Sequence, residues 1–125
     1  MRANSFRILV LLYLLLILAL SKIPGHSIPD LRILSADKLL HILEYSVLGF
    51  LMVMGLSRIS RIPIIFIITG SLIFAGIDEI LQSFTPGRYS SIYDFIADAL
   101  GIFLGLILTI IIVRNNNYDQ STDRT

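Results

Sequence analysis

The chain has 125 residues, of which 55% are apolar and only 15% charged, with a formal net charge of +1 and a mean hydropathy of +0.83. Such a composition excludes an ordinary soluble domain and leaves room for one polytopic membrane domain. No basic stripe interleaved with aromatics is present, which excludes the usual nucleic-acid partner, and the absence of cysteine removes disulfides, thiolate metal sites and cysteine nucleophiles.

Arg2 and Arg7 precede an unbroken apolar run from Ile8 to Leu20, long enough with its flanks to cross a bilayer as a helix, and a first span is expected over about residues 6–22. The rival reading is a secretory signal peptide, with Ala19-Leu20-Ser21 as its small-x-small cleavage site. The loop from Lys22 to Ala36 holds two prolines, a glycine and His26, a residue expected to be solvated. Ser35 is the expected N-cap of a second span over 37–56, whose polar residues Asp37, Lys38, His41, Glu44 and Tyr45 all fall in its first half. A basic connector with Arg58 and Arg61 leads to a third span over 62–84, with Pro63 in its first turn. This span is polar only near its end, at Asp78, Glu79 and Gln82. Thr85-Pro86-Gly87-Arg88 reads as a turn. The fourth span, over 91–113, starts with Ser90 or Ser91 as N-cap and carries Asp94 and Asp98 in its first two turns. The tail from 114 to 125 is polar and aperiodic, and is expected to be a disordered cytoplasmic segment.

Counting lysine and arginine orients the four spans. Arg2, Arg7, Arg58, Arg61, Arg114 and Arg124 fall on one side, and Lys22, Arg32, Lys38 and Arg88 on the other. Both termini are therefore expected inside. The expected fold is all-α: a four-transmembrane-helix bundle, N-in and C-in, in the bacterial cytoplasmic membrane, with a polar pocket facing outward.

Charged residues inside a span cost about 2.5–3.5 kcal/mol each at a helix centre, so they face the bundle interior and need a reason to be there. At 1.5 Å per residue, Glu44, Asp78, Glu79 and Asp98 all lie about 8–10 Å below the outer boundary. Asp37, His41 and Glu44 share one helix face, as do Lys38, His41 and Tyr45, Asp78 and Gln82, and Asp94 and Asp98. Gly101 and Gly105 continue the Asp94/Asp98 face at a small-xxx-small spacing suited to close helix packing.

Three segments resemble the VanZ-like family of small bacterial membrane proteins: Asp37 to Tyr45 (D-K-x-x-H-x-x-x-Y), Asp78 to Arg88 (E-x-x-Q-x-F-x-P-x-R, starting at Glu79), and Asp94 to Gly101. In the third segment the family typically has asparagine where this chain has Asp98. The resemblance covers nearly the whole chain from the end of the first span. It implies a bacterial inner-membrane protein whose relatives are associated with low-level resistance to teicoplanin-type glycopeptides; it implies no particular reaction.

Glu44, His41, Asp78, Glu79 and Asp98 are the candidate catalytic residues. Four carboxylates beside Lys38, Arg88 and His41 cannot all be ionised cheaply, so a proton donor next to a proton acceptor is available, with His41 suited to either role. Lys38, Tyr45, Gln82, Arg88 and Asp94 are the candidate ligand contacts; Lys38 and Arg88 suit a lipid phosphate or a carboxylate, with interfacial snorkelling the alternative. The helix-register reading of the carboxylates and the capping reading of Asp94 stay open. Metal ligation by His41 with the carboxylates is the less favoured reading, because the cluster has one histidine and no H-E-x-x-H arrangement, and no metal or cofactor is expected. The leading expectation is binding or modification of a cell-envelope component or lipid-linked, glycopeptide-type precursor at the outer leaflet. A proton- or ion-coupled carrier and a non-catalytic scaffold are the alternatives.

Overall fold

The structure, a computed structural model, describes residues 3–25, 34–56 and 59–122. The expected solvation of His26, and the topology signals at Arg2, Arg32, Arg58 and Arg124, lie outside them. Among the described residues the regular elements are four α-helices: α1 (Ala3–Ser21), α2 (Leu34–Met54), α3 (Arg61–Ser83) and α4 (Ile92–Thr122).

Local chemistry sets the boundaries. α1 has no proline or glycine until Pro24. α2 starts at Leu34, so Ser35 lies inside its first turn rather than at the cap, a shift within the usual play of helix ends. At its other end α2 closes at Gly55, whose N–H donates to the Leu51 carbonyl at 3.0 Å. α3 accommodates Pro63 in its first turn, where the missing N–H is not needed. The α3–α4 connection is the expected turn: the Arg88 N–H donates to the Thr85 carbonyl at 3.1 Å, and Gly87 takes φ 74°. Proline second and a positive-φ glycine third are the signature of a type II turn. Ser91 and Asp94 then form a reciprocal capping box. The Asp94 N–H donates to Ser91 Oγ at 3.3 Å, and the Ser91 N–H donates to Asp94 Oδ2 at 3.0 Å. α4 continues to Thr122, past the end expected at Val113, because no proline or glycine follows Gly105 to stop it.

α1, α3 and α4 are long and apolar enough to cross a membrane, over Asn4–Ser21, Arg61–Ser83 and Ile92–Asn115. α2 has 21 residues, a length of about 31 Å, but carries Asp37, Lys38 and Glu44. Packing is inverted relative to a soluble protein. Leu11, Leu15, Phe66, Ile73, Ile80 and Ile107 project outward, while Ser71, Asp78, Asp98 and Thr109 are fully buried beside Ile17, Tyr45, Leu48 and Ile102. Outward apolar side chains and inward polar ones are what a lipid solvent selects.

The tightest pairing is α2 against α4. A Cβ placed on Gly101 would lie 2.5 Å from the Ile42 carbonyl oxygen, and one on Gly105 2.0 Å from that of Ser46. The two backbones touch there, as the small-residue spacing requires. α1 is joined to the far end of α2 by the Arg7 Nε hydrogen bond to the Gly55 carbonyl, 3.0 Å. Antiparallel neighbours thus bring the C-terminal ends of α1 and α3 together with the N-terminal ends of α2 and α4. His41, Glu44, Tyr45, Asp78, Glu79, Gln82, Arg88, Asp94 and Asp98 all lie toward that end.

Candidate functional site

Two hydrogen-bonded networks occupy the polar end, one on the α1 side and one between α2 and α4. The first centres on Asp78, which is 1% exposed. Its Oδ1 accepts from the Ser21 hydroxyl, and its Oδ2 accepts from the Tyr45 hydroxyl at 3.1 Å and from Gln82 Nε2 at 3.0 Å. Gln82 stands one turn beyond Asp78, so its amide reaches back along the same face. Its Oε1 accepts from Arg88 Nη1 at 3.1 Å. The other Arg88 donors go to backbone at the end of α1: Nη2 to the Leu20 carbonyl, 3.1 Å, and Nε to that of Ile23, 3.2 Å. Thr85 adds a hydrogen bond to the Ser21 carbonyl at 2.9 Å, and the Gly25 N–H one to Pro86 at 3.0 Å. The last carbonyls of a helix have no partner within it, and a basic side chain placed there also meets the negative end of the helix dipole. Arg88 and Thr85 therefore serve as the C-terminal cap of α1, supplied by a turn that follows more than sixty residues later in the chain.

The second network crosses from α2 to α4. Lys38 Nζ pairs with Asp94 Oδ1 and with Asp37 Oδ2, the latter at 3.1 Å. Asp94 is fully engaged, because its Oδ2 takes the Ser91 N–H and hydroxyl, the latter at 2.7 Å. One turn further in, His41 Nδ1 lies 2.8 Å from Asp98 Oδ1 and 4.0 Å from Glu79 Oε1. Here satisfaction ends. Both carboxylate oxygens of Glu79, Asp98 Oδ2 and Glu44 Oε1 are buried with no hydrogen-bond partner. Ser90 approaches Glu79 without completing a hydrogen bond.

The expected convergence of α2, α3 and α4 is present, with His41, Glu79 and Asp98 meeting from three helices. The expected single chamber open to the surface differs from what is seen. His41, Asp78, Glu79, Gln82, Asp94 and Asp98 are all buried, because the glycine contact between α2 and α4 draws these helices together. An open groove of about 790 Å³ lies beside them among the described residues, lined by Asp37, Lys38, Leu39, Ile42, Tyr89, Ser91, Tyr93 and Asp94. Of the expected ligand contacts, Lys38 and Asp94 reach it. Tyr45, Gln82 and Arg88 belong to the Asp78 network.

Sequence reading missed three contributors. Ser21 reads from sequence as a cleavage-site residue and Thr85 as part of a turn, while Tyr13 lies unmarked within the first apolar run; the Tyr13 hydroxyl donates to the Glu44 carbonyl at 3.0 Å. Their roles depend on α1 packing against α2 and α3, which no spacing within one segment reveals. Tyr89 and Tyr93 carried no signal beyond their aromatic character at a membrane boundary.

Fold and site together define a small all-helical membrane protein with a polar interior at one end. The chain belongs to the VanZ/LLP1 family, whose pattern matches residues 4–113, in agreement with the resemblance carried by the three polar segments. No curated protein and no solved structure matches it.

Proposed function

We propose that this protein crosses the bacterial cytoplasmic membrane four times with both termini inside, and that it binds an amphipathic envelope component, a lipid-linked precursor or a lipid headgroup, at the outer leaflet. The observation that carries this reading is the groove between α2 and the start of α4. Leu39, Ile42, Tyr89 and Tyr93 give it apolar walls, and the Lys38 ammonium stands within it beside Asp94. An apolar slot with an ammonium that keeps one N–H beyond those given to Asp37 and Asp94 suits an amphipathic chain with a polar head group. Orientation rests on the lysine and arginine bias, and the packing of Ile17 and Ser21 into the interior supports a retained first span.

The carrier alternative has little to support it. Toward the opposite end the interior is built from Leu48, Ile102, Ser71 and Thr109, and no ionisable relay continues along it among the described residues. Arg88 leaves the ligand-contact set, since three of its donors are committed to protein acceptors.

Native mass spectrometry of the protein extracted from bacterial membranes tests the reading. Wild type is expected to retain a co-purifying lipid or lipid-linked species that is reduced in Lys38→Gln and in Tyr93→Ala. Equal retention in all three would refute groove binding. Expressed in a glycopeptide-sensitive host, the same variants are expected to lose any teicoplanin protection that wild type confers, at unchanged membrane levels.

A further inference from the structure

Three of the buried side chains at the polar end have an arrangement that hydrogen bonding does not explain. His41, Glu79 and Asp98 come from α2, α3 and α4, and one ligating atom from each can be chosen so that all three lie within 4.8 Å of one another. Exposure is 7% for His41, 6% for Glu79 and 0% for Asp98. Only the His41–Asp98 contact satisfies any of them. Both Glu79 oxygens and Asp98 Oδ2 are acceptors shut away from water without a donor. Native proteins leave few such groups, and each calls for an explanation such as an ion or water. The neighbouring Asp78, by contrast, has donors on both oxygens.

The geometry points to a divalent transition-metal site, of the kind that takes zinc, with His41 Nδ1 and one carboxylate oxygen each from Glu79 and Asp98 as ligands. Imidazole with carboxylate oxygen is an ordinary donor set for such ions, and three protein ligands leave a position for water or for an anionic group. Bonds of about 2.0–2.2 Å in a tetrahedral site place ligand atoms roughly 3.3–3.6 Å apart. The His41–Asp98 separation of 2.8 Å therefore opens, and the His41–Glu79 separation of 4.0 Å closes, each by roughly half an ångström. His41 is the basic group that meets Asp98 and Glu79, and a divalent cation would offset the charge of both carboxylates together.

A second set, Asp37, His41 and Asp94, comes equally close. It is the poorer site: both Asp94 oxygens are occupied by Lys38 and Ser91, and the Lys38 ammonium repels a metal ion there. The inner site does not rest on the groove reading; the Lys38–Asp94 pair at the groove lies one turn away from it on both helices.

The full chain, purified in detergent without a polyhistidine tag, is stripped with chelator and equilibrated with zinc, and bound metal is counted by elemental mass spectrometry. A single zinc per chain is expected, and cobalt substitution should give the intense visible bands of a tetrahedral site. Glu79→Gln and Asp98→Asn, both near-isosteric, should weaken binding by more than about tenfold while eluting as wild type does on size exclusion. Asp37→Asn should bind as wild type. Substoichiometric zinc in wild type, unchanged affinity in both inner variants, or loss of binding in Asp37→Asn alone would overturn the assignment. Should His41→Ala fail to yield monodisperse protein, the Glu79 and Asp98 variants still decide it, and their groove-bound lipid reports separately on the ligand reading.

Discussion

At the scale of single residues, two acidic neighbours on α3 differ in what surrounds them. Asp78 faces inward and accepts from Ser21, Tyr45 and Gln82, which tie three helices to one carboxylate. Glu79, next in sequence, has two buried oxygens and no donor. Removing Asp78 strands the Tyr45 hydroxyl and the Gln82 amide, at about 1–3 kcal/mol for each one left buried and unpaired, while the Ser21 hydroxyl keeps the Ile17 carbonyl at 2.9 Å. Asp78→Ala is therefore expected to lower the apparent Tm in detergent sharply and to deplete the protein from membranes. Glu79→Gln, measured in excess chelator, should leave Tm unchanged or raised, since it removes a buried acid and breaks no hydrogen bond. Equal losses in the two variants would contradict this division of roles. The same contrast explains what could be read beforehand. Acidic residues inside a span stand out because lipid penalises them, so both were legible as interior groups. Which of them holds the fold and which stays available depends on partners as remote as Ser21, fifty-seven positions away.

At the scale of helices, the contact of α2 with α4 governs the site, since it sets how closely His41 and Lys38 approach Asp98 and Asp94. Gly101 and Gly105 meet backbone carbonyls of α2 closer than any side chain permits. Gly70, on α3, has nothing within 4 Å of the position its Cβ would take. Gly105→Leu is expected to push the helices apart at a cost of at least about 1–3 kcal/mol, seen as loss of folded protein in thermal unfolding. Gly70→Ala should be neutral or stabilising, by up to about 1 kcal/mol, because a helix interior favours alanine over glycine. The glycine spacing was visible in the sequence. Its effect of closing the polar end, and leaving a groove beside it instead of an open chamber, was not, because the distance between two helices is a property of both surfaces at once. The Pro86-Gly87 turn and a serine N-cap at Ser90 or Ser91 were readable in advance, since each is a local solution to local backbone geometry, and the structure puts the cap at Ser91 with Asp94 as its reciprocal partner.

At the scale of the whole molecule, the inverted distribution of polarity predicts how the chain sits in a bilayer. The absence of native cysteine makes single-cysteine labelling free of background. In intact cells Tyr89→Cys, at a position 93% exposed, is expected to react with a membrane-impermeant maleimide, whereas Ser60→Cys should react only after permeabilisation. The reverse pattern would invert the orientation and place the groove at the cytoplasmic leaflet. Both positions lie in connectors, so neither substitution disturbs helix packing.

What the amino-acid sequence determined by itself is the class of molecule: long apolar runs separated by proline, glycine and charge, and acidic residues confined to one end of each polar helix. Those features follow from hydropathy and from the 3.6-residue period, which act within a segment. The tertiary structure alone decided that α1 enters the site through Ser21, that Arg88 caps α1, and that His41, Glu79 and Asp98 converge with oxygens to spare. Each of these depends on groups from different helices meeting in a medium that offers no water to take their place, and such meetings are fixed by packing between segments.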